Sequence, residues 1–248
     1  MKSNILVLQA RCGSKRLPGK VLKEIDGKPL IGYQIERILQ SKFLQDLVVA
    51  IPLGKEDDVV YSYLKKVGVR VYRGEEINVF SRFKGAISSS SAEIIVRSTA
   101  DCPLFMSTLL DEMLLEFENA NVDYMSNSLV PSFPDGLDIE IFKRASFELL
   151  GMQELSVTQK EHVTLGFYDG TFDFRIKNHE NRQDLSRERW TVDYQEDFDF
   201  VSHVFSTLGE DVGLEELVNY LRAHPEQSNK RSHKFRNIAL SKKEESHE

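Results

Sequence analysis

Cysteine, proline and tryptophan are scarce in this chain, and its N-terminal region lacks a long apolar run. Among 248 residues there are two cysteines, seven prolines and one tryptophan, and the first apolar run, residues 5–8, stops at Gln9. Two cysteines form at most one disulfide, which excludes the small secreted scaffolds that depend on several bridges and is typical of a reducing cytosol. So short a run is neither a signal peptide nor a membrane span. We therefore expect a cytoplasmic protein with no membrane partner.

Carboxylates are also absent from the first 23 residues, although acidic residues outnumber basic ones overall. The chain carries 39 Asp and Glu against 32 Lys and Arg, a net charge of −7. An acidic total argues against a general nucleic-acid binder, so we expect no nucleic-acid partner. The stretch before Glu24 nevertheless holds six cations. The positive charge is therefore local.

The hydrophobic pattern of the first half alternates short apolar runs with amphipathic stretches. Runs at 5–10 and 47–52 are brief and apolar on both faces, which is typical of buried parallel strands, and 69–72 and 93–99 are expected to form two further strands. Helical spacing separates them, so the pattern predicts an α/β domain with right-handed crossovers. No Pro/Gly-rich break divides the chain. We expect one domain over residues 1–226 and a basic, partly frayed tail at 227–248.

The second half is mixed. Residues 138–142 and 171–176 alternate as half-exposed strands would, and 189–193 reads as a further strand before a helix that contains Phe198 and Val201. We expect a small inserted β segment near residues 160–188, with an edge that can serve in dimerisation.

The loop after the first strand, RCGSKRLPGK at 11–20, combines two glycines with four cations and no acid. Glycines let backbone amides approach an anion closely, and ligands of open α/β sheets bind beyond the carboxyl ends of strands. The spacing is not that of a P-loop, because five residues separate Gly13 from Gly19 and Val21 follows Lys20. The loop is either a polyphosphate cradle or an ordinary exposed basic loop.

Two aspartates follow predicted strands. Asp101 comes after EIIVRST and Asp193 ends RWTV, so both are expected at the carboxyl edge of the sheet although 92 positions separate them. Carboxylate oxygens suit Mg²⁺, which takes one or two carboxylates plus phosphate oxygens and water. Taken alone, each aspartate fits a turn or cap equally well.

Several segments together resemble the cytidylyltransferase family that contains CMP-Kdo synthetases, CMP-sialate synthetases and the spore-coat polysaccharide cytidylyltransferase-like proteins, the last group most of all. The resemblance rests on QARCGSKRLPGKVLKEIDGKPLIGY, RGEEINVFSRF, RSTADCPL, PDGLDIEIF, EHVT and TVDYQEDF. It implies a three-layer α/β/α, Rossmann-like nucleotidyltransferase fold with a mostly parallel sheet, transfer of CMP from CTP with a divalent metal, and a homodimer. Thr99 stands where CMP-Kdo synthetases have Gln, and Asn78 where close relatives have Asp, so the acceptor sugar does not carry over.

The resemblance also implies roles for individual residues. Arg11, Lys20 and Asp101 are the candidate catalytic residues, and Asp101 and Asp193 are the candidate ligands of Mg²⁺. For the acceptor, the alternatives are a substrate role or ordinary turn and strand-face roles for Asp135, Asp138, Glu140, Glu161 and His162; Arg97 is a further cation that could contact nucleotide or an acceptor carboxylate. The candidate nucleotide-binding residues are Gln9, Ala10, Arg11, Gly13, Ser14, Arg16, Lys20, Arg73 and Thr99, with Lys15 helping to shape the loop.

Three functions remain open at this level. The first is a metal-dependent cytidylyltransferase that activates a sugar acid or related surface-polysaccharide precursor, with CTP and the small acceptor as its partners. The second is a glycosyltransferase that uses a finished nucleotide sugar, since both chemistries occur on this type of sheet. The third is a nucleotide-binding relative without catalysis. Release of pyrophosphate from CTP separates the first from the others.

Overall fold

The computed structural model of the protein describes residues 2–229. A seven-stranded sheet in the order β5-β4-β1-β6-β8-β7-β9 forms its centre, and β2 and β3 pair separately as a short hairpin. The strands β5, β4, β1 and β6 are parallel, whereas β8 runs antiparallel to both of its neighbours. The strands are β1 (Asn4–Gln9), β2 (Glu24–Ile25), β3 (Lys28–Pro29), β4 (Leu47–Pro52), β5 (Arg70–Gly74), β6 (Ile94–Thr99), β7 (Tyr124–Ser126), β8 (Glu140–Lys143) and β9 (Ile176–Asn178).

Helices cover both faces of the sheet, and each face has its own hydrophobic cluster. In β1, Leu6 and Leu8 belong to one cluster while Ile5 and Val7 belong to the other. This explains why the strand is apolar throughout: side chains alternate between two buried faces. The helices are α1 (Leu30–Leu39), α2 (Asp58–Lys66), α3 (Val79–Ile87), α4 (Ser107–Asn119), α5 (Arg144–Leu150), α6 (Val157–Glu161), α7 (Gln195–Leu208), α8 (Leu214–Ala223) and α9 (Pro225–Asn229).

The predicted three-layer, mostly parallel α/β/α fold is therefore confirmed. Within residues 2–229 no helix is both long enough and apolar enough to cross a bilayer. Most of the predicted basic tail, residues 230–248, lies outside the described part of the chain.

Two predicted strands are wrong. Residues 171–175 are bends and irregular chain, and the strand in this region is β9, which pairs with β7 at the edge of the main sheet. Residues 189–193 form no strand; they contribute one isolated bridge, between Arg189 and Asp135. The inserted segment near 160–188 consequently holds β9 and a single 3₁₀ turn at Leu165–Phe167, with little β structure of its own.

Candidate active site

A cleft of about 660 Å³ lies at the carboxyl edge of the parallel strands, above the ends of β1 and β6. Eight of the nine candidate nucleotide-binding residues line it, together with both candidate metal-binding aspartates. Those eight are Gln9, Ala10, Arg11, Gly13, Ser14, Arg16, Lys20 and Thr99.

The basic loop is closed around Cys12. The Cys12 carbonyl accepts hydrogen bonds from the amides of Ser14 (2.7 Å) and Gly19 (3.2 Å), and the Cys12 amide donates to Asp57 Oδ1 (2.7 Å). Gly19 has φ of 66°, a left-handed conformation that favours glycine. A 3₁₀ turn at Lys20–Leu22 follows directly. Backbone contacts therefore hold the loop, leaving most of its cationic side chains for the cleft.

Lys20 lies at the centre of the site and is buried. Its ammonium donates to Asp101 Oδ2 (2.8 Å), Asp193 Oδ1 (2.9 Å) and the Val192 carbonyl (2.9 Å). Residues that are 81 and 173 positions away along the chain thus meet at one nitrogen.

The segment carrying Asp193 is fixed to the end of β6 by its backbone. The Val192 amide donates to the Asp101 carbonyl (2.8 Å), and the Asp193 amide donates to Asp197 Oδ2 (3.0 Å) at the start of α7. Asp193 Oδ2 accepts from Arg189 (2.6 Å), while its Oδ1 is also paired with Arg16 (2.6 Å). The segment is thus held by hydrogen bonds to neighbouring loops, and not by pairing with a strand as the sequence predicts.

The charges of the site set the protonation states of both aspartates. Burial by itself raises the pKa of Asp101, but the Lys20 ammonium and the Thr99 hydroxyl outweigh it and hold that pKa well below its usual range. The pKa of Asp193 is lowered in the same way, against burial, by Lys20 and Arg16. Burial lowers the pKa of Lys20, and the two carboxylates reverse that effect and raise it. All three groups are therefore charged at neutral pH.

The donor set fits a divalent cation. Asp101 Oδ2, Asp193 Oδ1 and the Val192 carbonyl are hard oxygen ligands that converge on one point, where the Lys20 ammonium acts as the stand-in cation. Residues 2–229 contain no cluster of three or more His, Cys, Asp or Glu side chains arranged for a metal. Two protein carboxylates suit Mg²⁺ that is completed by phosphate oxygens and water.

Arg11, Lys15 and Arg16 are the exposed cations of the cleft. Arg16 is paired with Asp193, whereas Arg11 and Lys15 form no ion pair with any residue in the described range 2–229. Arg82 of α3 also lines the cleft; its guanidinium donates to the carbonyls of Glu75 and Glu76. Arg11 and Arg82 line the same cleft, and the pKa of Arg82 is lowered by burial and further by the charge of Arg11. An anion between them would relieve this repulsion.

The candidate acceptor residues occupy different places. Glu161 and His162 line the cleft. Asp135, Asp138 and Glu140 are not among the described residues that line the cleft. Asp135 is ion-paired with Arg189 (2.5 Å), Glu140 is buried, and Asp138 is half-buried.

Of the two candidate arginines, Arg97 lines the cleft and Arg73 does not. Arg97 lines the cleft, pairs with Glu140 and donates through Nε to Gln9 Oε1 (2.5 Å). Arg73 lies outside the described lining; it donates to the carbonyls of Pro52 (3.2 Å) and Gly54 (2.9 Å) and to Asp58 (2.7 Å). Its role in nucleotide binding stays a prediction.

Sequence reasoning missed three residues that shape the site, namely Asp57, Arg82 and Arg189. Arg189 precedes Asp193 by four positions, and residues four apart in an extended segment share a face, which is a usable signal. Asp57 belongs to a plain acidic stretch before α2, and nothing in its spacing indicates that it accepts the Cys12 amide.

Comparison with known proteins agrees with the resemblance seen in the sequence. The sequence profile of the cytidylyltransferase family matches residues 5–224. The spore coat polysaccharide biosynthesis protein SpsF of Bacillus subtilis is 30% identical over 240 residues, which are 93% of this chain and 99% of that protein. The 3-deoxy-manno-octulosonate cytidylyltransferase of Solibacter usitatus is 32% identical over 111 residues, 44% of this chain and 42% of that protein.

The solved structure of a cytidylyltransferase from Leptospira borgpetersenii serovar Hardjo-bovis matches with a TM-score of 0.86 at 29% identity. The match covers 96% of this chain and 100% of that chain. It therefore includes the sheet, the basic loop and the segment that carries Asp193.

Proposed function

We propose that this chain, which belongs to the cytidylyltransferase family, transfers CMP from CTP to a sugar acid or a related surface-polysaccharide precursor. Pyrophosphate is the second product, and Mg²⁺ is the cofactor. The names of two relatives support the acceptor class: one takes part in spore coat polysaccharide biosynthesis and the other acts on 3-deoxy-manno-octulosonate.

One observation carries this proposal. Cations without carboxylate partners among the described residues, Arg11 and Lys15, line the same cleft as two carboxylates that share a single cation position. A triphosphate needs the first group and a phosphate-bound metal needs the second. Their juxtaposition at the carboxyl ends of parallel strands fits nucleotidyl transfer.

The chain's own residues bind and orient the reactants. Arg11 and Lys20 bind the triphosphate, with the backbone of the loop around Gly13 close to the phosphates. Asp101 and Asp193 would hold Mg²⁺, which when bound neutralises phosphate charge and lowers the pKa of the acceptor hydroxyl. The acceptor oxygen loses its proton to water and bonds to the α-phosphorus, while the bond to the bridging oxygen breaks and pyrophosphate leaves. Positioned cations stabilise the charge that develops on the leaving phosphates.

The acid group of the acceptor has a matching site at the floor of the cleft. Arg97 uses Nη1 for Glu140 and Nε for Gln9, so its Nη2 has no hydrogen-bond partner in the described part of the chain. The Gln9 amide nitrogen is likewise without a described partner. Tyr124 (2.6 Å) and Thr164 (2.5 Å) both donate to the other oxygen of Glu140. The cleft therefore presents donors here, as a carboxylate requires.

A pyrophosphate-release assay tests the proposed function. CTP, UTP, ATP and GTP are each combined with Mg²⁺ and with 3-deoxy sugar acids, nonulosonic acids, or small hydroxy and phospho acceptors. We expect release with CTP and a sugar acid. Release with none of these combinations would contradict the proposal, and binding of a finished nucleotide sugar would then favour a glycosyltransferase.

A matched pair of variants tests the site. Asp101→Asn removes one carboxylate charge from the cleft, and Asp199→Asn removes one from the exposed face of α7. We expect the first variant to abolish turnover with its fold intact and the second to keep it. CTP consumption by Asp101→Asn in Mg²⁺ would exclude the role given to Asp101.

A further inference from the structure

The ammonium of Lys20 has no donor left for a phosphate. A lysine ammonium carries three N–H donors. Here the three are committed to Asp101 Oδ2, Asp193 Oδ1 and the Val192 carbonyl, at 2.8–2.9 Å. The residue is 9% exposed, so water does not replace these contacts. Lys20 therefore cannot bind a triphosphate while it keeps its three present hydrogen bonds.

The ammonium also occupies the place that a metal needs. Asp101 Oδ2 and Asp193 Oδ1 each lie within 2.9 Å of the same nitrogen. Mg²⁺ or Mn²⁺ binds such oxygens at about 2.0–2.2 Å, in the space between them. Two cations at that separation repel strongly in a buried site. Metal and ammonium are therefore alternatives.

We propose that Lys20 is the resident cation of the nucleotide-free site and excludes the metal until a nucleotide triphosphate takes the ammonium away. The proposal rests on the proposed function, in which the triphosphate enters this cleft. On binding, the ammonium exchanges two carboxylates and a carbonyl for phosphate oxygens, and the carboxylates become available to the metal. Metal and nucleotide then bind with positive coupling, which must be reciprocal.

Other groups of the site hold the carboxylates in place during this exchange. Arg189 holds Asp193 Oδ2 (2.6 Å), and the Thr99 hydroxyl donates to Asp101 Oδ1 (2.7 Å). In each carboxylate, the oxygen that faces away from Lys20 is thus anchored without it, and Arg16 in addition pairs with the inner Oδ1 of Asp193 (2.6 Å). When Lys20 leaves, the two inner oxygens stay aimed at the same point.

Nucleotide-free binding of Mn²⁺ tests the proposal, with free Mn²⁺ measured by electron paramagnetic resonance. The variants are Lys20→Met and Lys20→Gln; the second keeps a neutral donor in case the first folds poorly. We expect both to bind Mn²⁺ more tightly than the wild-type chain, by roughly tenfold or more, as coupled sites do. Thermal unfolding gives a second readout, because Mn²⁺ then stabilises the variants at concentrations that leave the wild type unchanged.

Arg16→Met is the matched control, because Arg16 is paired with the same Asp193 Oδ1 (2.6 Å) but not with Asp101. Removing it lowers the positive charge equally without opening the space between the two carboxylates. An equal gain in Arg16→Met, or no gain in either Lys20 variant, overturns the proposal. Pyrophosphate release is measured separately on the wild-type chain: if Mn²⁺ affinity responds as expected but CTP is not consumed, the proposed function fails, while the exclusion of the metal by Lys20 stands.

Discussion

Replacing Gly136 with alanine is expected to disturb the active site from a distance, through the segment that carries Asp193. Gly136 has φ of 109°, and a Cβ added there would lie 2.5 Å from the Thr191 amide nitrogen and 2.7 Å from the Trp190 carbonyl carbon. Both neighbours are backbone, so no rotation of a side chain relieves the overlap. The two chain segments must move apart.

The cost follows from two contributions. A left-handed conformation of this kind costs a non-glycine residue roughly 1–3 kcal/mol. Separation of the segments also weakens the hydrogen bonds from the Trp190 amide (2.6 Å) and the Thr191 amide (3.0 Å) to the Asp135 carbonyl, each worth about 1 kcal/mol. We expect a loss of about 3–5 kcal/mol in unfolding free energy, which lowers the melting temperature by roughly 6–20 °C in a domain of this size.

Gly68→Ala is the control. Gly68 also has positive φ, at 76°, but a Cβ there meets no atom within 4 Å, so the backbone conformation is the sole cost, roughly 1–2 kcal/mol. Urea unfolding followed by circular dichroism compares the two variants. Gly136→Ala should lose at least 1 kcal/mol more than Gly68→Ala, and its folded fraction should lose CTP turnover because Val192 and Asp193 shift away from Lys20. Equal losses of stability with full turnover would refute this account of the packing.

Three further predictions concern carboxylates that are buried, as Glu140 and Asp57 are, or partly buried, as Asp123 is. Arg97→Met should cost about 3–5 kcal/mol in urea unfolding because it leaves the Glu140 carboxylate buried without its cation, and adding Glu140→Gln should restore most of that loss; a single variant as stable as the wild type would contradict it. Asp57→Ala removes the acceptor of the Cys12 amide, so steady-state kinetics should show KM for CTP raised roughly tenfold, whereas Asp57→Asn, which keeps an acceptor, should change it little. Asp123 is bound mainly by Arg175, which holds the pKa of Asp123 well below its usual range. Its contribution to stability is therefore complete above pH 4–5 and is lost as the pH falls further, so the stability difference between the wild type and Asp123→Asn should shrink on acidification, and a constant difference between pH 6 and 3 would exclude it.

The parts of the fold that sequence reasoning found are those governed by local pattern. β1, β4 and β6 each contribute side chains to both hydrophobic clusters, one on each face of the sheet. Their apolar sequences therefore allow them to be recognised as parallel strands. Asp101 and Asp193 were both expected at the carboxyl edge of the sheet; both line the cleft there and share Lys20, although Asp193 follows a loop segment and not the predicted strand.

The segment at 189–193 shows where local pattern stops being informative. Alternation of polar and apolar residues indicates that one face of a segment is buried. It does not indicate which backbone groups the segment pairs with. Here the amides of Trp190 and Val192 donate to the carbonyls of Asp135 and Asp101, which belong to loops. The segment is buried as a central strand would be, yet it joins no ladder, because its partners come from two loops that the sequence does not place beside it.

The role of Lys20 illustrates the same limit for chemistry. Sequence reasoning assigns Lys20 to the triphosphate because it follows a glycine-rich loop, and assigns the two aspartates to the metal because they follow strands. Each assignment is made from residue type and local position. Neither type nor position indicates that Lys20 and the two aspartates bind one another. The structure shows them bound together, with three donors and three acceptors matched. Because cation and carboxylates satisfy each other in this site, a ligand must displace internal contacts in order to bind. That requirement makes Mn²⁺ affinity, rather than turnover, the most direct measure of what Lys20 does.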